Sequence, residues 1–408
     1  MKVLTLNAEG KKPAGATISR RGFCALAAAG YAGIALTENK SGVAASAKAW
    51  NQLPVSPLVH SDGRVTFLFP VGKSRKVVLQ IGGFPSQDMT HRAEGFWHAT
   101  VGPLEPGIYS YAFEVDRVRV LDPLNPWVKK NLFYPASLIL VPGQPASLWQ
   151  DMNVPHGAVT EHFYHSAIAD DNRNFYVYTP PGYDPRGRTR YPVLYLLHGY
   201  SDTAGAWTKA GRANFILDNL ITARKAVPMI IVMPLGYGDD AIVSRTTAGI
   251  ADTAIFNRNM THFQSQLLKE IMPRIAANYR IKTGPANTAI AGLSMGGGEA
   301  LIVGLNNLSH FSWICGLSSY CGAEGLNFAS VFPRLTRSDN DRIKLLWVSC
   351  GRQDPLVGKA NRHLDAWLSS RGVHFKNVWT SGGHQWRVWR DNLVHFAPLL
   401  FRTQGPRG

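Results

Sequence analysis

Cysteine is scarce. Four residues in 408 are cysteine, and no pair has the short spacing of a structural zinc site. So few cysteines exclude a disulfide scaffold for a chain of this length. Acidic residues are also few: 27 Asp plus Glu stand against 43 Lys plus Arg, a formal charge of +16. Charged residues of both signs make up 17% of the chain and hydrophobic residues 45%, which excludes a solvated disordered polymer. No uncharged apolar run approaches the ~20 residues that cross a bilayer, so no membrane span is expected. Internal repeats, a Lys/Arg-rich run and nucleic-acid motifs are all missing, so the positive excess does not point to a nucleic-acid partner.

What is present begins with an address. Ser19-Arg20-Arg21-Gly22-Phe23 leads into a weakly apolar run from Cys24 to Leu36, and small residues then reach Ala45-Ser46-Ala47. Basic segment, short apolar segment and A-x-A site in that order are those of an export signal. The paired arginines resemble the twin-arginine type, which is read by a receptor and is not an anchor. Residues 1–47 are therefore expected to be removed, with export to the periplasm or beyond. They hold six basic and two acidic residues, so a quarter of the charge leaves with them.

Residues 48–143 have short strand-like runs punctuated by Gly, Pro and Asp. Val65 to Phe69 follows the Asp62-Gly63 turn, and Ile108 to Val115 is joined to Val118 to Leu121 by a two-residue turn at Asp116-Arg117. Such a pattern predicts a small all-β sandwich, because one sheet face needs a second sheet to bury it. Asp62-Gly63-Arg64-Val65, Gly95-Phe96-Trp97 and Pro106-Gly107-Ile108-Tyr109-Ser110-Tyr111 resemble the early-set immunoglobulin-like modules assigned as starch- or glycogen-type carbohydrate-binding domains. Trp97 and Tyr109 lie within strands and are expected in the core. Trp127, beside Asn125-Pro126, is the better candidate for an exposed platform.

Residues 144–155, with Pro145 and Pro155, read as a linker. From 156 to 403 the pattern changes to α/β. Near-continuous apolar runs at 175–179, 193–197, 229–233, 288–291, 313–317, 345–350 and 377–380 predict strands covered on both faces. Helices lie between them, the clearest at 260–276 with Phe263, Leu267, Ile271 and Ile275 on one stripe. The expected architecture is a doubly covered, mainly parallel sheet.

The strand at 288–291 runs directly into Gly292-Leu293-Ser294-Met295-Gly296 and then a helix-forming segment. G-x-S-x-G in a strand–turn–helix context is a nucleophile elbow, which raises Ser294 Oγ above the sheet. Its base and acid should follow in the order acid, then His. Asp354 directly follows the strand at 345–350, at the sheet edge where functional groups gather. His384, in Ser381-Gly382-Gly383-His384, follows the last strand. His363, His374 and His395 have ordinary structural positions. Leu196-Leu197-His198-Gly199-Tyr200 should supply the second oxyanion donor, so the backbone N–H groups of Tyr200 and Met295 are assigned that role. His198 is read as packing and hydrogen bonding in that loop.

Tyr178-Thr179-Pro180-Pro181-Gly182-Tyr183, Leu196 to Gly199, Ala291 to Gly297 and Gly382 to Arg390 together resemble bacterial esterases of the feruloyl and acetyl-xylan type (carbohydrate esterase family 1, the esterase D group). The resemblance implies an α/β-hydrolase that cleaves esters through an acyl-enzyme without metal or cofactor. It implies feruloylated or acetylated plant polysaccharide as substrate, with hydroxycinnamate release the leading expectation and acetyl-xylan the alternative. Siderophore esters, acyl transfer and an inactive sugar-binding protein are more remote alternatives. Trp207 and Trp386, with Tyr200, are the expected aromatic wall for a cinnamoyl group; Trp389 is expected to be structural. Cys315 and Cys350 are expected as buried, inert thiols.

Overall fold

A computed structural model describes residues 54–92, 95–246, 248–322 and 326–402. The export-signal reading of 1–47 lies outside the described residues. Residues Val55–Gly408 group as one compact unit.

The first part is two antiparallel sheets. Their strands are β1 Leu58–Val59, β2 Val65–Pro70, β3 Val77–Ile81, β4 Gln87–Asp88 and β5 Thr90–Arg92. β6 Phe96–Val101, β7 Gly107–Val115, β8 Val118–Val120, β9 Val128–Lys129 and β10 Ala136–Val141 follow. One sheet has the order β1-β2-β6-β5 and the other β4-β3-β7-β10-β9, with β8 on β7. Alternate residues Val65 and Phe67, and Val77 and Leu79, point into a shared core that Tyr111 and Phe113 complete. The Asp116-Arg117 turn takes positive φ at both residues, 47° and 72°. This is the twist a two-residue hairpin needs. Trp127 is half-buried under the Arg212 guanidinium rather than an open platform.

The second part is one eight-stranded sheet. Its strands are β11 Ala158–Ser166, β12 Asp171–Thr179, β13 Val193–Leu197 and β14 Ile230–Pro234, then β15 Thr288–Leu293, β16 Trp313–Leu317, β17 Leu345–Gly351 and β18 Lys376–Thr380. The order is β11-β12-β14-β13-β15-β16-β17-β18. β13 to β18 run parallel to one another, and β12 pairs antiparallel with β11 and β14. β11 escaped the sequence reading because it is an edge strand with little apolar patterning; Phe163 on it is 75% exposed. In β13, Leu194 and Leu196 enter the core on one face, and Val193, Tyr195 and Leu197 the core on the other. Each fully buried aliphatic side chain of this kind contributes about 1.5–3 kcal/mol.

The helix expected at 260–276 is interrupted. An α-helix Thr253–Gln266 and another at Met272–Asn278 are joined by a π turn, Leu267–Ile271. Phe263, Leu267, Ile271 and Ile275 are all buried, at a constant spacing of four. An ideal helix of 3.6 residues per turn would rotate that stripe away from the sheet, and the wider π turn brings it back. Pro273 adds a second reason, since it cannot donate to a carbonyl four residues earlier.

The face carrying the terminal helix Trp386–Phe396 also takes Ile108 and Leu138 from the sandwich and Trp149 from the connecting segment into its core. Arg390 of that helix is buried and donates to Ala210 O at 2.8 Å and Ile108 O at 3.2 Å. The sandwich and the α/β part thus share apolar and polar contacts beside the carboxyl edge of the sheet.

Candidate active site

Ser294 sits between β15 and the elbow helix Met295–Asn306 at φ 54°, ψ −118°. A conformation this far from the usual regions costs about 1–3 kcal/mol and persists only when neighbours hold it. They do so with three hydrogen bonds. Ser294 N–H donates to Leu317 O at 2.9 Å, and Gly298 and Tyr320 N–H donate to Ser294 O at 3.0 and 2.8 Å. The glycines allow the approach: a Cβ on Gly298 would lie 1.9 Å from Tyr320 O, and one on Gly296 2.3 Å from His198 O.

The structure brings Ser294, His384 and Asp354 into one chain of hydrogen bonds. His384 Nδ1 lies 2.8 Å from Asp354 Oδ2, and His384 Nε2 lies 2.9 Å from Ser294 Oγ. Burial pushes the Asp354 carboxyl up, but the His384 bond and the Val357 and Leu356 amides outweigh it and hold the group below its ordinary 3.8. An ionised carboxylate can only accept, so Nδ1 carries the imidazole proton and Nε2 is left to accept from Ser294 Oγ–H. His363 lies on the helix Gly358–Ser370, His374 before β18 and His395 on the terminal helix, and none bonds to Ser294.

His198 Nδ1–H donates to Gly199 O at 2.8 Å, and Nε2 accepts from Gly236 N–H at 2.9 Å. Burial pushes its pKa down, so it is a neutral brace for the loop that follows. That loop lies against the nucleophile: a Cβ on Gly199 would lie 3.2 Å from Ser294 Cβ. Neither the Tyr200 nor the Met295 N–H has a protein acceptor among the described residues, which leaves both free for an anionic oxygen.

Ser294 and His384 open into a cleft of about 630 Å³, lined by Tyr200 and Trp386 on the α/β side and by Phe84 and Tyr109 from the sandwich. Its volume falls within the 300–1,000 Å³ usual for small-molecule sites, as an order of magnitude. Trp386 forms part of the wall, whereas Trp207 does not reach it. Trp207 is fully buried, its Nε1–H donates to Leu197 O at 2.9 Å, and its ring packs edge-on against Trp386 at 5.2 Å. Its assignment to substrate binding is therefore corrected: it supports Trp386 from behind. Trp389 stands edge-on to the His384 ring at 5.0 Å, and its buried Nε1 lacks a protein partner. Tyr109, expected in the sandwich core, packs partly against that core and also lines the cleft. Phe84 was missed, although Phe84 after Gly82-Gly83 is the kind of aromatic loop tip that pairs with a distant surface. Cys315, Cys321 and Cys350 are buried and unpaired, with burial raising Cys321 and Cys350 to about 12.

Residues 166–400 match the Esterase family model, described as "Putative esterase". The chain is 29% identical over 362 residues to an endo-1,4-beta-xylanase/feruloyl esterase of Xylanibacter ruminicola, a match covering 85% of this chain and 46% of that protein. An esterase of Mycobacterium tuberculosis is 34% identical over 150 residues, covering 37% of this chain and 29% of that one. The chain thus spans less than half the length of either. Among solved structures, the ferulic acid esterase of Anaeromyces mucronatus superposes with a TM-score of 0.53 at 24% identity, covering 62% of this chain and 93% of that one. The enterobactin esterase of Shigella flexneri gives 0.59 at 19% identity, covering 82% and 92%. A shared fold is what these structural likenesses establish. With the family match spanning more than half of its residues, the chain belongs to the esterase family, on an α/β-hydrolase fold.

Proposed function

We propose that the protein is an exported serine esterase that releases hydroxycinnamic acids, ferulate foremost, from plant cell-wall polysaccharide. The observation that carries this reading is the unbroken Ser294–His384–Asp354 hydrogen-bond chain facing a cleft with aromatic walls. The feruloyl esterase portion of the Xylanibacter relative's name supports the acyl group. Export rests on the twin-arginine pattern of residues 1–47, and sugar binding by residues 48–143 on their resemblance to carbohydrate-binding modules.

Ser294 Oγ attacks the ester carbonyl as its proton passes to His384 Nε2. The carbonyl oxygen becomes an oxyanion between the Tyr200 and Met295 amides, each donor worth about 3 kcal/mol in the transition state. Asp354 orients the ring and stabilises the imidazolium. Collapse of this intermediate breaks the bond to the sugar oxygen, which takes the proton from His384 and leaves an acyl group on Ser294. Water, deprotonated by the same nitrogen, then repeats the sequence and frees the acid. Phe84, Tyr109 and Trp386 provide flat apolar surface for a phenolic ring.

The test is turnover of methyl ferulate against acetylated xylan and p-nitrophenyl acetate by residues 48–408. The expected result is ferulate release that Ser294→Ala abolishes. Release of acetate alone from the natural polymers would replace the feruloyl reading with acetyl-xylan hydrolysis.

A further inference from the structure

The loop that carries the Tyr200 amide is held from two sides. From the α/β side, His198 fixes Gly199 O, and Tyr237 O–H donates to Asp202 O at 2.6 Å. The other side is the sandwich. Lys129, at the end of β9, places Nζ 2.6 Å from Asp202 Oδ1, and the two side chains are only 12% and 6% exposed. Asn131 Nδ2 donates to the same Oδ1 at 2.8 Å and to Ser201 Oγ at 3.0 Å. Leu132 N–H donates to Ser201 O at 2.7 Å, and the Phe133 ring packs against Tyr200 with centroids 5.7 Å apart.

The donors are themselves fixed. Asn131 Oδ1 accepts from the Phe133 and Tyr134 amides at 3.0 and 2.8 Å, so the segment is a closed turn before it meets the loop. The loop needs such support, because Ser201 takes φ 64°, in the left-handed region that a residue with a Cβ disfavours. A loop strained next to its oxyanion donor will relax if its outer anchors are removed, and a shift of that amide weakens the one interaction formed mainly in the transition state.

We propose that Lys129 and Asn131 of the sandwich are positioning residues for ester hydrolysis, holding the Tyr200 oxyanion amide in place through Asp202 and Ser201. The sandwich is then part of the catalytic apparatus for every ester, including small ones that never touch it. This rests on the serine-esterase reading above.

Lys129→Met and Asn131→Ala are compared with wild type on p-nitrophenyl acetate, a substrate too small to need a polysaccharide surface. Phenylboronic acid is the second probe. Ser294 Oγ gives an electron pair to boron while its proton passes to His384 Nε2, and a boron-bound oxygen lies where the oxyanion forms. Each substitution is expected to lower kcat about 10- to 100-fold, less than the 10²–10³-fold typical of deleting a whole donor, with KM nearly unchanged. Boronate affinity should fall in step, and Lys129→Arg should recover most of both. Asn131→Ala keeps the test open if Lys129→Met, which strands a buried carboxylate, fails to fold. Folded variants with wild-type kcat and boronate affinity would overturn the proposal. So would a loss confined to feruloylated polysaccharide, which would make the segment a polymer contact. A wild-type chain that neither hydrolyses esters nor binds boronate would instead refute the serine-esterase reading itself.

Discussion

Ser294 and Glu299 on the elbow and Asp354 after β17 are three polar groups whose surroundings push them to different ends. Ser294 is raised on a strained turn, and Asp354 is ionised because His384 and two amides receive its charge. Glu299, on the elbow helix, is fully buried. Desolvation drives its pKa well above the ordinary value, the single Asn259 bond at 3.4 Å does little to oppose it, and Oε2 is unpartnered. Such a carboxyl stays protonated in the folded chain. Below its ordinary 4.5 both folded and unfolded chains hold the proton and nothing is lost. As pH rises past that value the unfolded chain gives the proton up and the folded chain does not, so stability falls. Glu299→Gln is therefore expected to raise the unfolding temperature at neutral pH, with the gain shrinking to nothing in acid. A pH-independent difference between the two proteins would show that Glu299 is ionised in the fold.

At the scale of elements, the elbow works because strand, turn and helix close on one another through missing side chains. Gly298 on the helix meets Tyr320 O with no room for a methyl group. Gly298→Ala should cost about 3 kcal/mol or more, the upper end of overpacking penalties. Urea unfolding measures it, and a loss below about 1 kcal/mol would mean the helix can shift aside freely. This element was legible in the sequence because its chemistry is local: Gly292 to Gly298 carry their own spacing. Asp354 and His384 were legible for a related reason, since chain order after the nucleophile and position after a strand are both one-dimensional facts. Trp207 was misread because the sequence shows an aromatic near the oxyanion loop but not which way it faces. The π turn and the exposed edge strand β11 went unseen because each breaks the periodicity by which helices and strands are recognised. The clamp from Lys129 to Asp202 spans 73 positions, and neither residue stands in a motif.

At the scale of the whole molecule, the sandwich and the α/β part are joined by a core and by the site. Ile108, Leu138 and Trp149 pack with the terminal helix, Arg390 bridges both parts from inside, and the cleft takes walls from each. Unfolding should accordingly be one cooperative transition, seen as a single calorimetric peak that a tight active-site ligand shifts as a whole. Two separated transitions would mean that the parts are coupled too weakly for one to position residues in the other. The excess of 43 basic over 27 acidic residues finds no nucleic-acid motif to serve. The central claim, hydrolysis through an acyl group on Ser294, is tested most directly by the intact mass of the protein quenched in acid during turnover of methyl ferulate. The account predicts a fraction of the chain heavier by one feruloyl group, located on the peptide containing Ser294 and absent in Ser294→Ala. Rapid turnover with no acyl-protein at any quench time, or an acyl group that persists in Ser294→Ala, would contradict it.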